Sequence, residues 1–226
     1  SEPMRTQDKE TQAELTPQRA KEILLEGNRR FVSNLKVNRN LLQQVNETSE
    51  GQFPFAIVLS CIDSRTSAEL IFDQGLGDIF STRVAGNVVN EDILGSMEFA
   101  CKVAGSKLIV VLGHSRCGAI KGACDHVEMG NLSTLLHKIE PAVNAVEYDG
   151  ERNSKNSEFV EKVAETNVVW AVGEIKKNSP ILREMIEKGE IGIVGGMYDV
   201  ETGIVTFYDN VENMTEALHE ELAGKY

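Results

Sequence analysis

Two apolar runs stand out along the chain: Phe53-Pro54-Phe55-Ala56-Ile57-Val58-Leu59-Ser60 and Lys107-Leu108-Ile109-Val110-Val111-Leu112-Gly113. They are rich in β-branched and large aliphatic residues and do not alternate with polar ones. That pattern predicts strands buried on both faces, as in a parallel sheet. Between them a helical pattern from Asp92 to Ala104, closed by Gly105, supplies the crossover that parallel neighbours need. A further strand is expected over Ile79–Val84. Ile191–Tyr198 and Gly203–Tyr208 read as strands joined by a tight Glu201-Thr202 turn, a hairpin at one edge of the sheet.

Helices are expected over Arg65–Phe72, Gly118–Met129, residues 132–148, residues 157–188 (with Pro180 opening a separate short helix) and from Val211 onward. Residues 1–15 are polar and without periodicity, which predicts a flexible arm. Thr16-Pro17 is a helix start, a capping residue followed by Pro in the first turn. Over 16–36, Ala20, Leu24, Phe31 and Leu35 recur at helical spacing, with Ile23 and Val32 widening the stripe. Such a stripe serves either the chain's own core or a partner; as an N-terminal arm, this helix is expected to pack on a partner subunit. The whole chain, 1–226, reads as one α/β domain: a central, mostly parallel sheet with an edge hairpin, flanked by helices.

Charge and cysteine usage narrow the function. The 226 residues carry a formal net charge of −12. Nucleic acid and anionic membrane surfaces, which need clustered Lys and Arg, are poor partners for such a chain. No apolar stretch is long enough to span a membrane. The four cysteines, Cys61, Cys101, Cys117 and Cys124, are too few for a disulfide framework at this length. Cytoplasm is the default compartment for reduced thiols, although an exported form whose leader is removed before Ser1 also accords with the sequence.

Each apolar run leads straight into a polar cluster, Cys61-Ile62-Asp63-Ser64-Arg65 and His114-Ser115-Arg116-Cys117. Both clusters then sit at carboxyl ends of strands, where open α/β sheets place their chemistry. Two thiols, an imidazole and a carboxylate can converge there as a tetrahedral zinc set. Asp63 has two readings. It can be the fourth ligand and close the site, or it can pair bidentately with Arg65 and leave a position open for water. Cys101 and Cys124 fall within helical patterns and read as packing residues.

Cys-x-Asp-x-Arg followed by His-x-x-Cys resembles the signature of the β-class carbonic anhydrases, and the similarity runs from about Leu24 to Tyr208. The resemblance implies one Zn²⁺ per chain held by Cys61, His114 and Cys117, with Asp63 and Arg65 as the catalytic dyad and Asp63 a fourth ligand only in a closed form. It also implies reversible hydration of CO₂ to bicarbonate and a proton by attack of a zinc-bound hydroxide. Gly118 would offer a backbone N–H to the pocket. Gln52, nine residues before the first Cys, and Val58, where the other subclass has Trp, place the chain with the plant-like, open-site subclass. Gln52 would contact substrate oxygen and Phe80 would line the CO₂ pocket, while Phe99 and Val84 replace the Tyr and Asn common at their positions. The family assembles as dimers or dimers of dimers with clefts at the interface, so a homo-oligomer is expected. His126 and His137 are candidates for proton transfer by residue type alone. The rival readings are a hydrolase of CS₂ or COS on the same scaffold and a non-catalytic structural zinc protein.

Overall fold

The structure, a computed structural model, describes residues 4–226. Its helices are α1 (Lys9–Glu14), α2 (Pro17–Val32), α3 (Leu41–Glu47), α4 (Ala68–Ile71), α5 (Glu91–Glu98), α6 (Gly118–Cys124), α7 (Gly130–His137), α8 (Glu140–Ala145), α9 (Ser157–Asn178), α10 (Pro180–Glu187) and α11 (Val211–Glu221). Five strands, β1 (Ala56–Ser60), β2 (Ile79–Arg83), β3 (Leu108–His114), β4 (Gly192–Tyr198) and β5 (Val205–Phe207), form one sheet in the order β2-β1-β3-β4-β5. The first four are parallel, and β5 closes the edge as an antiparallel hairpin with β4. Every residue of β1 and β3 is buried, as unalternating apolar runs require of strands covered on both faces.

The register places the chemistry. Leu59 pairs with Val111, so β1 and β3 run level and their carboxyl ends emerge side by side. One sheet face, with Ile57, Leu59, Ile109 and Val111, packs against α5, α9 and α10. The opposite face, with Ala56, Val58, Val110 and Leu112, packs against α2 and α4. A third apolar cluster, from α6, α7, α8 and the start of α9, encloses Cys61 and Cys117.

The N-terminal region is ordered by specific polar contacts. Residues 1–3 of the expected flexible arm lie outside the described residues. The remainder has regular structure: Asp8 caps α1 by accepting from the Thr11 N–H, and Thr11 Oγ1 accepts from the Asp8 N–H. Buried Gln12 donates from Nε2 to the carbonyls of Pro54 and Ala104 at 2.8 and 2.7 Å. Polar side chains dock this segment, so a search for apolar periodicity passes over it. The α2 stripe divides along its length. Ala20 and Leu24 are fully buried in the sheet's own core, while Leu35 stays 67% exposed. Buried Asn28 fastens the helix, donating to the Ile71 and Gly203 carbonyls and accepting from the Val205 N–H.

Other boundaries shift for local reasons. The expected helix over Arg65–Phe72 shortens to α4, because the Thr66 N–H bonds back to the Asp63 carbonyl and forms a turn. The expected Asp92–Ala104 helix widens after α5 into a π turn over Phe99–Val103, with the Ala104 N–H reaching the Phe99 carbonyl. α6 ends at Cys124 rather than near Met129, and His126 takes left-handed backbone (φ 53) just beyond it.

Candidate metal centre

Cys61 follows β1 directly, His114 is the last residue of β3, and Cys117 is the N-cap of α6. Their ligating atoms all lie within 4.8 Å of one another, and all three residues are buried. The two sulfurs are 4.0 Å apart. Between His114 and Cys117 the chain turns through Arg116, in left-handed backbone at φ 55. This tight reversal lets residues i and i+3 face one point.

The tautomer of His114 follows from its partners. Nδ1 lies 2.7 Å from the Ser115 carbonyl oxygen, which can only accept, so Nδ1 carries the proton. Nε2 then presents a lone pair into the centre. It is fully buried and has no hydrogen-bond partner, a costly arrangement for a polar atom unless something is bound there. A lone pair of that kind beside two thiols is the donor set of a soft, tetrahedral metal site.

Asp63 stands at the edge of this cluster, with Oδ2 3.9 Å from His114 Nε2. Three donors from one residue fix it. Arg65 gives its backbone N–H and Nε–H to Oδ1 at 2.9 and 3.0 Å, and Nη2–H to Oδ2 at 2.7 Å. The side-chain hydrogen bonds from Arg65 hold the Asp63 carboxyl down at about 2, so it is ionised at neutral pH. Arg65 itself reaches the Arg116 carbonyl at 3.5 Å, tying the two polar loops together.

The thiols divide one proton between them. A hydrogen bond from Cys117 holds the Cys61 thiol well below its usual range, helped by the backbone N–H of Gly86, which lies 3.3 Å from Cys61 Sγ. The same bond, together with burial, pushes Cys117 upward, against the pull of the Ile120 and Ala119 N–H groups at the start of α6. A bound cation would take that proton's place and favour thiolate at both sulfurs.

The structure gathers five of the residues singled out in the sequence: Cys61, Asp63, Arg65, His114 and Cys117. Gly118 joins them as the first residue of α6, exposed, with open space where a side chain would project. Gln52 and Phe80 lie elsewhere in the same chain. Phe80, on the edge strand β2, pairs with Ile57, four residues or about 13 Å of strand from Cys61. Gln52 precedes the opposite, amino end of β1. Phe80 instead meets Phe99 edge to face, with ring centroids 6.1 Å apart, in a cavity of about 610 Å³ that also includes Ile57 and Gly95. His126 and His137 are exposed, and His137 pairs with Glu128. Cys101 and Cys124 are buried, and burial raises both thiols, to about 12 and about 11. Arg83 is a further residue of the site. Its Nε and Nη2 donate to the Cys61 and Asp63 carbonyls at 2.9 and 2.6 Å, so it clamps the loop that carries both. An arginine at the carboxyl end of a core-adjacent strand was the available signal.

Level parallel strands and the start of α6 bring two thiols and an imidazole to one buried point beside a fixed carboxylate, a cluster that could hold a metal on an open α/β scaffold. The carbonic anhydrase family model matches residues 56–205. Over 208 residues the chain is 36% identical to carbonic anhydrase 2 of Mycobacterium tuberculosis, covering 88% of this chain and 97% of that protein. It is 30% identical over 192 residues to the carbonic anhydrase of Synechococcus elongatus, covering 80% and 69%. The structure of the β-carbonic anhydrase CcaA aligns with a TM-score of 0.66 at 26% identity, covering 86% of this chain and 88% of that one. The β-carbonic anhydrase CafA of Aspergillus fumigatus shares the fold, with a TM-score of 0.67 at 24% identity over 80% and 87%. The chain belongs to the carbonic anhydrase family, and its fold is that of the β class.

Proposed function

We propose that this carbonic anhydrase binds one Zn²⁺ through Cys61, His114 and Cys117 and hydrates CO₂ reversibly, with Asp63 and Arg65 completing the site. The observation that carries the reading is the unpartnered Nε2 lone pair of His114, aimed with two sulfurs at one point, while Asp63 is held back by three hydrogen bonds from Arg65. Zinc bound there would supply the Lewis acidity that makes water a nucleophile at neutral pH, a principle for which carbonic anhydrase is itself the standard example.

The chain's own residues do the rest. Asp63, ionised and fixed, accepts a hydrogen bond from the attacking water and aims its lone pair at the carbon of CO₂. An Asp63 already committed to Arg65 does not close the coordination shell, which favours an open catalytic site over a structural one. Arg83 keeps the Cys61–Asp63 loop from shifting as the ligands engage. Gln52 and Phe80 contact substrate only if another copy brings them to the cluster. We therefore infer a homo-oligomer, a dimer or dimer of dimers, in which one subunit's pocket wall faces the other's metal centre. Tetrameric β-carbonic anhydrases of Sordaria macrospora are among the proteins that share this fold.

Stopped-flow CO₂ hydration, with metal content measured on the same sample, tests the reading. One zinc per chain with rapid hydration is expected, lost on chelation and restored by zinc. Stoichiometric zinc without hydration at any pH would assign the centre a structural role.

A further inference from the structure

Cys61 is held by more than its place in the chain. The end of β2 and the turn after it hold Cys61 and its neighbours at four points: the Val84 N–H bonds the Ser60 carbonyl at 3.1 Å, Arg83 bonds the Cys61 and Asp63 carbonyls, and the Gly86 N–H points at Cys61 Sγ. Three of these contacts fix backbone. The fourth touches the sulfur itself, and its geometry depends on how the turn over Val84–Asn87 is held. Gly86 sits in left-handed backbone at φ 69, wedged so tightly that a Cβ there would lie 2.7 Å from Ile139 and 3.3 Å from Ala119. Asn87, the next residue, is also left-handed (φ 43).

One side chain outside this segment anchors it. Asn167, 1% exposed in the middle of α9, donates from Nδ2 to the Gly86 carbonyl at 2.8 Å. Its neighbours on the helix, Val163, Ala164, Val168 and Val169, are apolar and buried. A lone amide in such a setting costs free energy unless its hydrogen bond is needed. The Gly86 residue is thus held from both ends: its carbonyl by Asn167, and its N–H against the sulfur.

We propose that Asn167 is a positioning residue for the metal centre: by fixing Gly86 it keeps an N–H directed at Cys61 Sγ and so limits how much charge that thiolate gives to the metal. The reason for such a device is chemical. Two thiolates make a metal a weaker Lewis acid than three imidazoles do. A hydrogen bond donated to one sulfur draws off part of that charge, and partners beyond the ligands are a recognised means of tuning a metal. The inference rests on the ligand set proposed above.

Cobalt(II) in place of zinc reads it directly, because thiolate-to-cobalt charge-transfer absorption follows the electron richness of sulfur. Asn167→Leu keeps the volume and removes the donor. The expected result is a tetrahedral cobalt spectrum with its charge-transfer band moved to longer wavelength. Val172→Ala, a cavity on the same helix away from the loop, should lower thermal stability and leave the band in place. Should N167L fail to fold, N167S, which keeps a hydroxyl in the space but falls short of Gly86, reads the same band. A band in N167L or N167S that coincides with that of the unsubstituted protein would overturn the positioning role. Failure of the unsubstituted protein to give any thiolate-to-cobalt band would instead remove the ligand set, and the inference with it.

Discussion

His114, Asp63 and Arg65 show how much depends on which atom is already engaged. His114 gives its Nδ1 proton to a backbone carbonyl and keeps Nε2 free, so His114→Ala is expected to lose zinc, measured as metal per chain after dialysis. Asp63 ligates nothing if Arg65 holds it, so Asp63→Asn should keep one zinc per chain and lose most of its hydration rate. Full activity in D63N would remove the assigned role. The same pair gives an acid signature. The Asp63 carboxyl sits at about 2 in the folded chain, against about 3.9 for a free Asp. Its folded value is depressed, so the stability it contributes is complete above about pH 4 and disappears as pH falls towards 2. Urea unfolding of D63N, compared with the unsubstituted protein across that window, should show the shallower loss in D63N. At this scale the sequence was highly legible. Cys61, His114 and Cys117 announced themselves because they cluster where apolar runs end. Asn167 did not, because one Asn within a helical pattern gives no hint of the distant carbonyl it meets.

Among the elements, strands were easier to read than helices. Burial on both faces writes β1 and β3 into the sequence as unbroken apolar runs, and the register that sets Cys61 beside His114 follows from their parallel neighbourhood. Helix ends depend on contacts that local patterning does not carry. α1 is docked by Gln12, the π turn after α5 widens at Phe99, and α6 stops short of a left-handed His126. The packing of α2 likewise rests on one close approach. At Gly27 a Cβ would lie 1.7 Å from the backbone oxygen of Phe72, an atom that cannot rotate aside. Gly27→Ala is therefore expected to destabilise the fold by about 1–3 kcal/mol, the usual range for overpacking, as read by thermal or urea unfolding, with metal content per folded chain unchanged.

For the molecule as a whole, the parts that a single chain keeps apart carry the information. Phe80 and Gln52 are remote from the cluster they are expected to serve, and Phe99 remains 50% exposed on the wall of the Phe80 cavity. Large apolar side chains left open beside such a cavity are suited to cover by another copy. Phe99→Glu is expected to shift the sedimentation profile towards monomer and to cut hydration while zinc per chain stays at one. A monomeric protein of undiminished activity would show that each chain works alone. This level of organisation was legible only through family resemblance, since residue spacing says nothing about which surface meets a second copy.

The 4.0 Å between Cys61 Sγ and Cys117 Sγ also exposes a vulnerability in storage. A disulfide needs about 2 Å, a modest further approach for side chains on separate loops. Chelated protein treated with hydrogen peroxide should lose one pair of titratable thiols and refuse zinc until a reductant is added, whereas zinc-loaded protein should keep all four. On the proposed ligand set, a bound ion would also act as a guard that keeps the two sulfurs from bonding to each other.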